Sequence, residues 1–262
     1  MSRKHFKYIY GPVSSWRFGS SLGIDLLSQG EKVCSFDCLY CQLGKTKALR
    51  TKRKLYVPTK KVIQEIKALP GVQIDYITFS GRGDPTLAKN LGEVIKAIKK
   101  LRKEPIAVLT NSSLIYKKEV RAELALADLV AFKLDADSEK LLELINRPAK
   151  EIKFNNILKG IRQFRKTYRG KLALQIMLMQ ENKETVKNIA KLAKTIQADE
   201  IQLCAPVRPA QVLPLSRRTI SALKRHFRGM KAISLYDVKR KKIRPINTKD
   251  TNLRRSNALN GG

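Results

Sequence analysis

Short apolar runs alternate along this chain with longer stretches whose apolar positions recur every three to four residues. The short runs predict strands at Ser21–Leu27, Ile74–Ser80, Ala107–Thr110, Leu129–Leu134, Leu172–Leu178 and Glu200–Leu203. The longer stretches predict amphipathic helices between them. One carries Val62, Ile63, Ile66 and Leu69 on a face, with Thr59 as N-cap after Pro58. The next carries Leu91, Val94, Ile95, Ile98 and Leu101, and a shorter one runs near Lys117–Ala127. Then come Phe154, Ile157, Leu158, Ile161 and Phe164, followed by Val186, Ile189, Ala190, Ala193 and Ile196. The last carries Ile220, Leu223 and Phe227 behind a Ser216 cap. Strands alternating with helices predict parallel βα units joined by right-handed connections. Six such units close either a partial (β/α)6 TIM-like barrel or a doubly wound sheet.

The bulk numbers change this picture in two places. The 262 residues, 43% of them hydrophobic, suit one large domain with its own core. From Lys239 the sequence becomes basic, polar and poor in core residues, so the reading is a core over 1–238 and a basic C-terminal tail over 239–262. That tail is either a flexible extension or a strap over the domain. No apolar run is long enough to span a membrane, and the first residues lack an apolar segment of signal-peptide length, so a cytoplasmic protein is expected. The charge is unusual: 54 Lys and Arg against 22 Asp and Glu give +32. Such an excess attracts polyanions, nucleic acid above all, although lysines solvated on helix faces account for part of it.

Three of the four cysteines fall within eight residues, as Cys34-Ser-Phe-Asp-Cys38-Leu-Tyr-Cys41. Clustered thiols in a chain without secretory features point to metal or redox chemistry rather than disulfides. Three thiolates close in sequence can wrap three corners of an iron–sulfur cube and leave the fourth iron open to a ligand. A zinc site wants a fourth ligand, which only the distant His5, His226 or Cys204 supplies. Three inert buried cysteines are the blandest alternative.

The spacing C-x3-C-x2-C with an aromatic before the last cysteine resembles the signature of the radical S-adenosylmethionine (SAM) superfamily. Tyr10-Gly-Pro-Val13, Ser21-Leu-Gly-Ile-Asp25, Cys38-Leu-Tyr-Cys-Gln-Leu-Gly44, Thr78-Phe-Ser-Gly-Arg-Gly-Asp-Pro-Thr86 and Gln202-Leu-Cys-Ala-Pro-Val-Arg-Pro209 extend the resemblance over nearly the whole chain. They are similar to small single-cluster Fe–S oxidoreductases and to the radical SAM core of the tRNA wyosine-base synthases. The resemblance implies the partial (β/α)6 barrel. It also implies a [4Fe–4S] cluster on Cys34, Cys38 and Cys41, with SAM chelating the open iron. Reductive cleavage of SAM would then yield a 5′-deoxyadenosyl radical. Tyr40 is implied near the adenine.

Further residues become candidates beside this motif. Gly81-Arg-Gly-Asp-Pro85 matches the family's Gly-Gly-Glu-Pro segment, departing from it at Arg82 and Asp84. Gly81 and Gly83 are expected to let backbone approach SAM, and Asp84 to hold its ammonium group; a plain Gly-Asp-Pro turn is the alternative. Asn111 follows the third strand and is expected to face SAM. Asp135 ends the fourth and suits the ribose hydroxyls. Met177 lies on the fifth, which often meets adenine in the superfamily. Cys204 ends the sixth as either a packing residue or a substrate contact, and alone it binds no second cluster. Most of these fall just after strands, and in α/β barrels the chemistry gathers at that end. The resemblance implies an external electron donor of the ferredoxin or flavodoxin type. The basic stretch Lys45–Lys61, just after the cysteines, is expected at the mouth of the site, where it would suit an RNA or tRNA substrate. Trp16, Arg17, Arg208, Arg254 and Arg255 are further candidate contacts to such a substrate. The competing readings are a zinc- or cluster-stabilised nucleic-acid-binding protein, an iron–sulfur electron carrier, and a radical SAM enzyme acting on a protein or metabolite.

Overall fold

Eight strands form one open sheet in the order β1 to β8, and a computed structural model describes it over residues 6–254. The six predicted strands are its parallel centre: β2 (Gly19–Ile24), β3 (Tyr76–Phe79), β4 (Ile106–Thr110), β5 (Leu129–Lys133), β6 (Lys171–Met177) and β7 (Glu200–Cys204). The sheet curls into a half-barrel, so the doubly wound alternative falls away. Two strands were not predicted. β1 (Ile9–Ser15) runs antiparallel to β2 at one edge, and β8 (Ala232–Ser234) pairs parallel to β7 at the other.

Alternation along the strands divides the core in two. Ile106, Val108, Val130, Phe132, Leu172 and Leu174 face outward into the main core beneath the helices. Ala107, Leu129, Ala131 and Ala173 face the inside, where Phe18 packs into the space the three alanines leave. Parallel strands buried on both faces have this composition. The helices are α1 (Thr59–Lys67), α2 (Leu91–Lys99), α3 (Lys118–Leu124), α4 (Glu139–Asn146), α5 (Phe154–Thr167), α6 (Val186–Ile196), α7 (Arg217–Lys224) and α8 (Thr248–Arg254). The predicted apolar stripes face the sheet, except that Leu101 lies beyond α2 and is exposed; on α5 the stripe is Phe154, Ile157, Leu158, Ile161 and Phe164. Burying side chains of that size stabilises by about 1.5–3 kcal/mol each before entropy is counted.

Two caps test the local reading. Ser216 Oγ accepts from Thr219 N at 3.1 Å, as expected for an N-cap. Thr59 does not cap α1; it is the first helical residue behind Pro58, and its hydroxyl accepts from Asn90 Nδ2 at 3.0 Å. Of the basic tail, residues up to Arg254 lie on the domain: α8 packs against β1, and Ile246 N donates to Gly11 O. Arg255 and His5 lie outside the described residues. Among the described residues no helix is long and apolar enough to cross a membrane.

Candidate active site

The cysteines occupy the long segment between β2 and α1, and the neighbouring strand ends staple it down. Asp37 N donates to the carbonyls of Asn146 and Arg147, and Leu39 N to Ile145 O, so the cysteine loop rests on the last turn of α4. Arg147 holds that turn in a left-handed conformation with φ 44°. Ser35 Oγ lies 2.6 Å from Ser113 Oγ, and Asp37 Oδ1 accepts from Thr46 N at 2.6 Å.

Two asparagine amides point at the thiols. Asn111 Nδ2 lies 3.6 Å from Cys34 Sγ and 2.9 Å from Ser35 Oγ. Asn146 Nδ2 lies 3.4 Å from Cys38 Sγ. Burial pushes the Cys34 thiol up to about 12, with Cys38 and Asp84 nearby adding to it. Burial likewise raises Cys38 to about 11, against the Asn146 hydrogen bond. These thiols hold their protons until a cation at the sulfurs draws them off. Among the described residues, no three His, Cys, Asp or Glu side chains converge as one metal ion requires. Zinc completed by His226 or Cys204 is therefore not assembled here. A cube is different, because its corner irons hold their thiolates apart rather than around one point.

Cys34 and Cys41 line the wall of a cavity of about 360 Å³ inside the half-barrel; Cys38 stands off that lining, next to Asn146. Tyr40, Gly81, Gly83 and Met177 line the same cavity. The segment Gly81–Asp84 pairs with the cysteine loop directly: Val33 N donates to Arg82 O, and Asp84 N to Val33 O. A Cβ on Gly83 would stand 1.6 Å from Val33 O, and one on Gly81 would stand 2.4 Å from Asp25 Cγ; both residues have φ near +155°. The glycines were expected to make room for a ligand. What requires them first is the fold, which brings the Val33 carbonyl and the Asp25 side chain against their Cα atoms.

Both carboxylates expected at the ligand have partners within the protein. Asp84 is buried, and its carboxylate accepts from Thr86 N at 2.9 Å, from Thr110 Oγ1 at 2.8 Å and from Asn111 N at 2.5 Å. It caps the turn Pro85–Leu87 and ties that turn to the end of β4, so its lone pairs are engaged within the protein rather than turned to the cavity. Asp135 is likewise enclosed. It accepts from Tyr40 Oη at 2.5 Å, Asn146 Nδ2 at 3.1 Å and Met177 N at 2.7 Å, and pairs with Lys133 Nζ at 3.0 Å. Asp135 thus fixes Tyr40 and β6; neither it nor Asn111 borders the cavity that Cys34 and Cys41 line. Lys133 Nζ also sits 4.7 Å from the Tyr40 ring centre. Burial and the neighbouring Asp135 carboxylate hold the Tyr40 hydroxyl well above its ordinary range.

The basic stretch Lys45–Lys61 does not line the cavity. Arg50, Lys52, Lys54 and Tyr56 border a separate surface groove with Gln29, Gly30 and Glu31. Lys47 pairs with Glu31, and Arg53 is buried against Glu123 and two carbonyls of the Thr86–Ala88 segment. The cations at the cavity are instead Arg17, Lys32, Arg208, Arg240 and Arg254. Sequence reasoning missed Asn146, which sits in a helix that was not predicted, and Lys32 and Arg240, which no motif marks.

The model of the Radical SAM superfamily matches residues 32–193, well over half of the chain. The chain belongs to the radical SAM superfamily. A UPF0026 protein of Synechocystis is 43% identical over 81% of this chain and 79% of its own length. A protein of Brachyspira hyodysenteriae named GTPase Obg is 39% identical over 79% of this chain, which spans only 31% of that protein. Among solved structures, Streptococcus suis SuiB bound to S-adenosylmethionine superposes with a TM-score of 0.64 at 14% identity, over 83% of this chain and 50% of SuiB. The radical SAM fold is thus established here, and the chain is an enzyme of that superfamily, whose cofactors are a [4Fe–4S] cluster and SAM. The residues present fit both: three thiols share one loop with two amide donors, and the cavity beside them is floored by glycine backbone.

Proposed function

We propose that this radical SAM protein cleaves SAM reductively at a cluster held by Cys34, Cys38 and Cys41 and directs the radical to an anionic substrate. The observation that carries the reading is the shared cavity: Cys34 and Cys41 face it together with Tyr40, Gly81, Gly83 and Met177, all within the family's matched span. When bound, the cluster supplies the electron that breaks the S–C5′ bond of SAM and frees a 5′-deoxyadenosyl radical. The chain's own residues do the rest. Asn111 and Asn146 donate to the sulfurs, the Gly81–Gly83 backbone would receive the methionine end of SAM, and Asp84 holds that backbone to β4. Asp135 fixes Tyr40 and Met177, which would meet the adenosine. The electron comes from an external donor of the ferredoxin or flavodoxin type.

RNA is the anionic polymer favoured by the net charge of +32. The resemblance to the radical SAM core of the wyosine-base synthases makes tRNA the first to test. The exposed cations Lys45, Lys52 and Lys54 would then track the backbone outside the cavity.

The test is anaerobic reconstitution with iron and sulfide, then dithionite and SAM, with 5′-deoxyadenosine assayed by chromatography. Wild type should yield product and Cys38→Ala none. A fully loaded cluster that never cleaves SAM overturns the reading. For RNA, tRNA affinity should fall steeply with salt; affinity that is absent or independent of salt removes tRNA as substrate.

A further inference from the structure

The cavity wall contains five cationic side chains and not one Asp or Glu. Three of the five are held by oxygen acceptors of the protein, and Arg240 is exposed. Arg254 pairs with Asp25 at 3.2 Å, Lys32 Nζ donates to Gly44 O at 2.9 Å, and Arg208 bonds the Gln42 side chain. Arg17 differs. It sits between β1 and β2 at the tip of their hairpin, which folds into the half-barrel so that Phe18 plugs the interior. Its Nη1 reaches Cys204 Sγ, 3.6 Å away at the end of β7, a weak acceptor that is also 3.4 Å from Gln175 Nε2. No carboxylate among the described residues pairs with it, and its Nε is buried with no hydrogen-bond partner. Ser14 Oγ, on the same hairpin and the same wall, is also buried and unpartnered. Trp16 lies against the guanidinium, its ring 5.0 Å from Arg17 Cζ.

A partly desolvated guanidinium whose hydrogen bond is to a weak sulfur acceptor keeps terminal N–H donors for a ligand at the wall. Its fork matches the two oxygens of a carboxylate or phosphate. We propose that Arg17, with Ser14 and the flanking Trp16, forms an oxyanion subsite for the molecule that receives the radical, holding a phosphate or carboxylate group of that substrate beside Cys204. This deepens the reading of the cavity as a radical SAM site and names a substrate class: one whose reacting part carries an oxyanion within reach of Arg17. The site differs from the surface groove that Arg50, Lys52 and Lys54 border.

The chain carries its own reporter, because Trp16 is the only tryptophan in it. The experiment titrates the cluster-loaded, full-length protein with inorganic phosphate, and separately with acetate, at constant ionic strength balanced by chloride. Tryptophan fluorescence is followed with and without saturating SAM. The expected result is a saturable change with at least one anion that persists when SAM is bound. The anion that saturates at lower concentration identifies the group. Arg17→Gln should weaken that anion by ~tenfold or more, and Arg17→Lys, which keeps the charge without the fork, should fall between. Far-ultraviolet circular dichroism and cluster absorbance confirm that each variant is folded and loaded. A response that does not saturate, or that survives Arg17→Gln, overturns the subsite. A response abolished by SAM also overturns it, since Arg17 would then serve SAM's own carboxylate. None of these readings needs turnover, so failure here is separate from failure of SAM cleavage.

Discussion

Asn146 Nδ2 stands 3.4 Å from Cys38 Sγ and 3.1 Å from Asp135 Oδ2, so one amide at the end of α4 ties a cysteine of the motif to the carboxylate that fixes Tyr40. Hydrogen bonds to cluster sulfurs raise the reduction potential by stabilising the added electron. Asn146→Ala should therefore make the loaded cluster harder to reduce, read as a more negative midpoint in an EPR-monitored titration. It should also cost about 1–3 kcal/mol of stability, because Asp135 loses a buried donor. An unchanged midpoint would show that the amide braces the loop without touching the cluster's electronics.

Gly83 is the position where the glycine segment meets the cysteine loop. Gly83→Ala drives a methyl into the Val33 carbonyl at a backbone angle that side chains rarely adopt. The expected loss is at least about 3 kcal/mol, with poor iron and sulfide incorporation on reconstitution. Gly30→Ala is the control: nothing lies within 4 Å of its added Cβ, and its urea midpoint should match wild type.

Asp84 has a structural role as cap and tether, whatever else it meets in the site. Asp84→Ala removes the acceptor for Thr86 N, Thr110 Oγ1 and Asn111 N together, and two unpaired backbone donors beside the motif should cost about 2–4 kcal/mol. Asp84→Asn keeps one acceptor oxygen and should recover part of that loss in urea denaturation. Equal destabilisation by the two would contradict the cap-and-tether role.

Arg254 and Asp25 form a buried pair, 4% and 1% exposed at the side chain. Burial raises the Asp25 carboxyl above its ordinary value, and Arg254 is the main influence pulling it back down. A raised native value means that the folded state binds the proton more tightly than the unfolded state. That contribution is present below the unfolded value of 3.8 and is lost as pH rises through the native one. Removing Arg254 raises the native value further. The cost of Arg254→Ala should therefore grow from mildly acidic to neutral pH, towards the ~3–5 kcal/mol typical of stranding one partner of a buried pair. Urea denaturation of both proteins across that range checks it; a cost independent of pH would mean that the lost packing of Arg254 dominates.

Much of this was legible in the sequence, for identifiable reasons. The six central strands and their helices carry apolar periods that tertiary structure had no cause to override. The cysteine loop announces itself by spacing alone. The edge strands did not: β1 contains Gly11 and Pro12, and β8 is three residues long, too short for a period to register. α4 hides Leu141, Leu142 and Ile145 directly after a strand end, although its Ser138 cap, which accepts from Leu141 N, was there to be read. α8 was illegible because its buried face is Asp250, Thr251 and Arg254, a polar set in which Thr251 accepts from Gly11 N and Arg254 reaches Asp25, Lys7 and Ser28. The same limit explains Asp84 and Asp135. The sequence marks a carboxylate near the site, but whether it faces the ligand or the protein depends on donors contributed by other strands.

Arg254 joins the far end of the described chain to its beginning, donating to the Lys7 carbonyl and the Ser28 hydroxyl as well as to Asp25 beneath Gly81. During synthesis the cysteine loop and all six central strands leave the ribosome before this residue does. A nascent chain can therefore curl its sheet while the carboxylate under the glycine segment still lacks its cation, and domains settle as whole units. The cysteine loop already rests on α4 at that stage, so what the late strap adds is the guanidinium that faces Asp25 and, through it, the footing of the glycine segment.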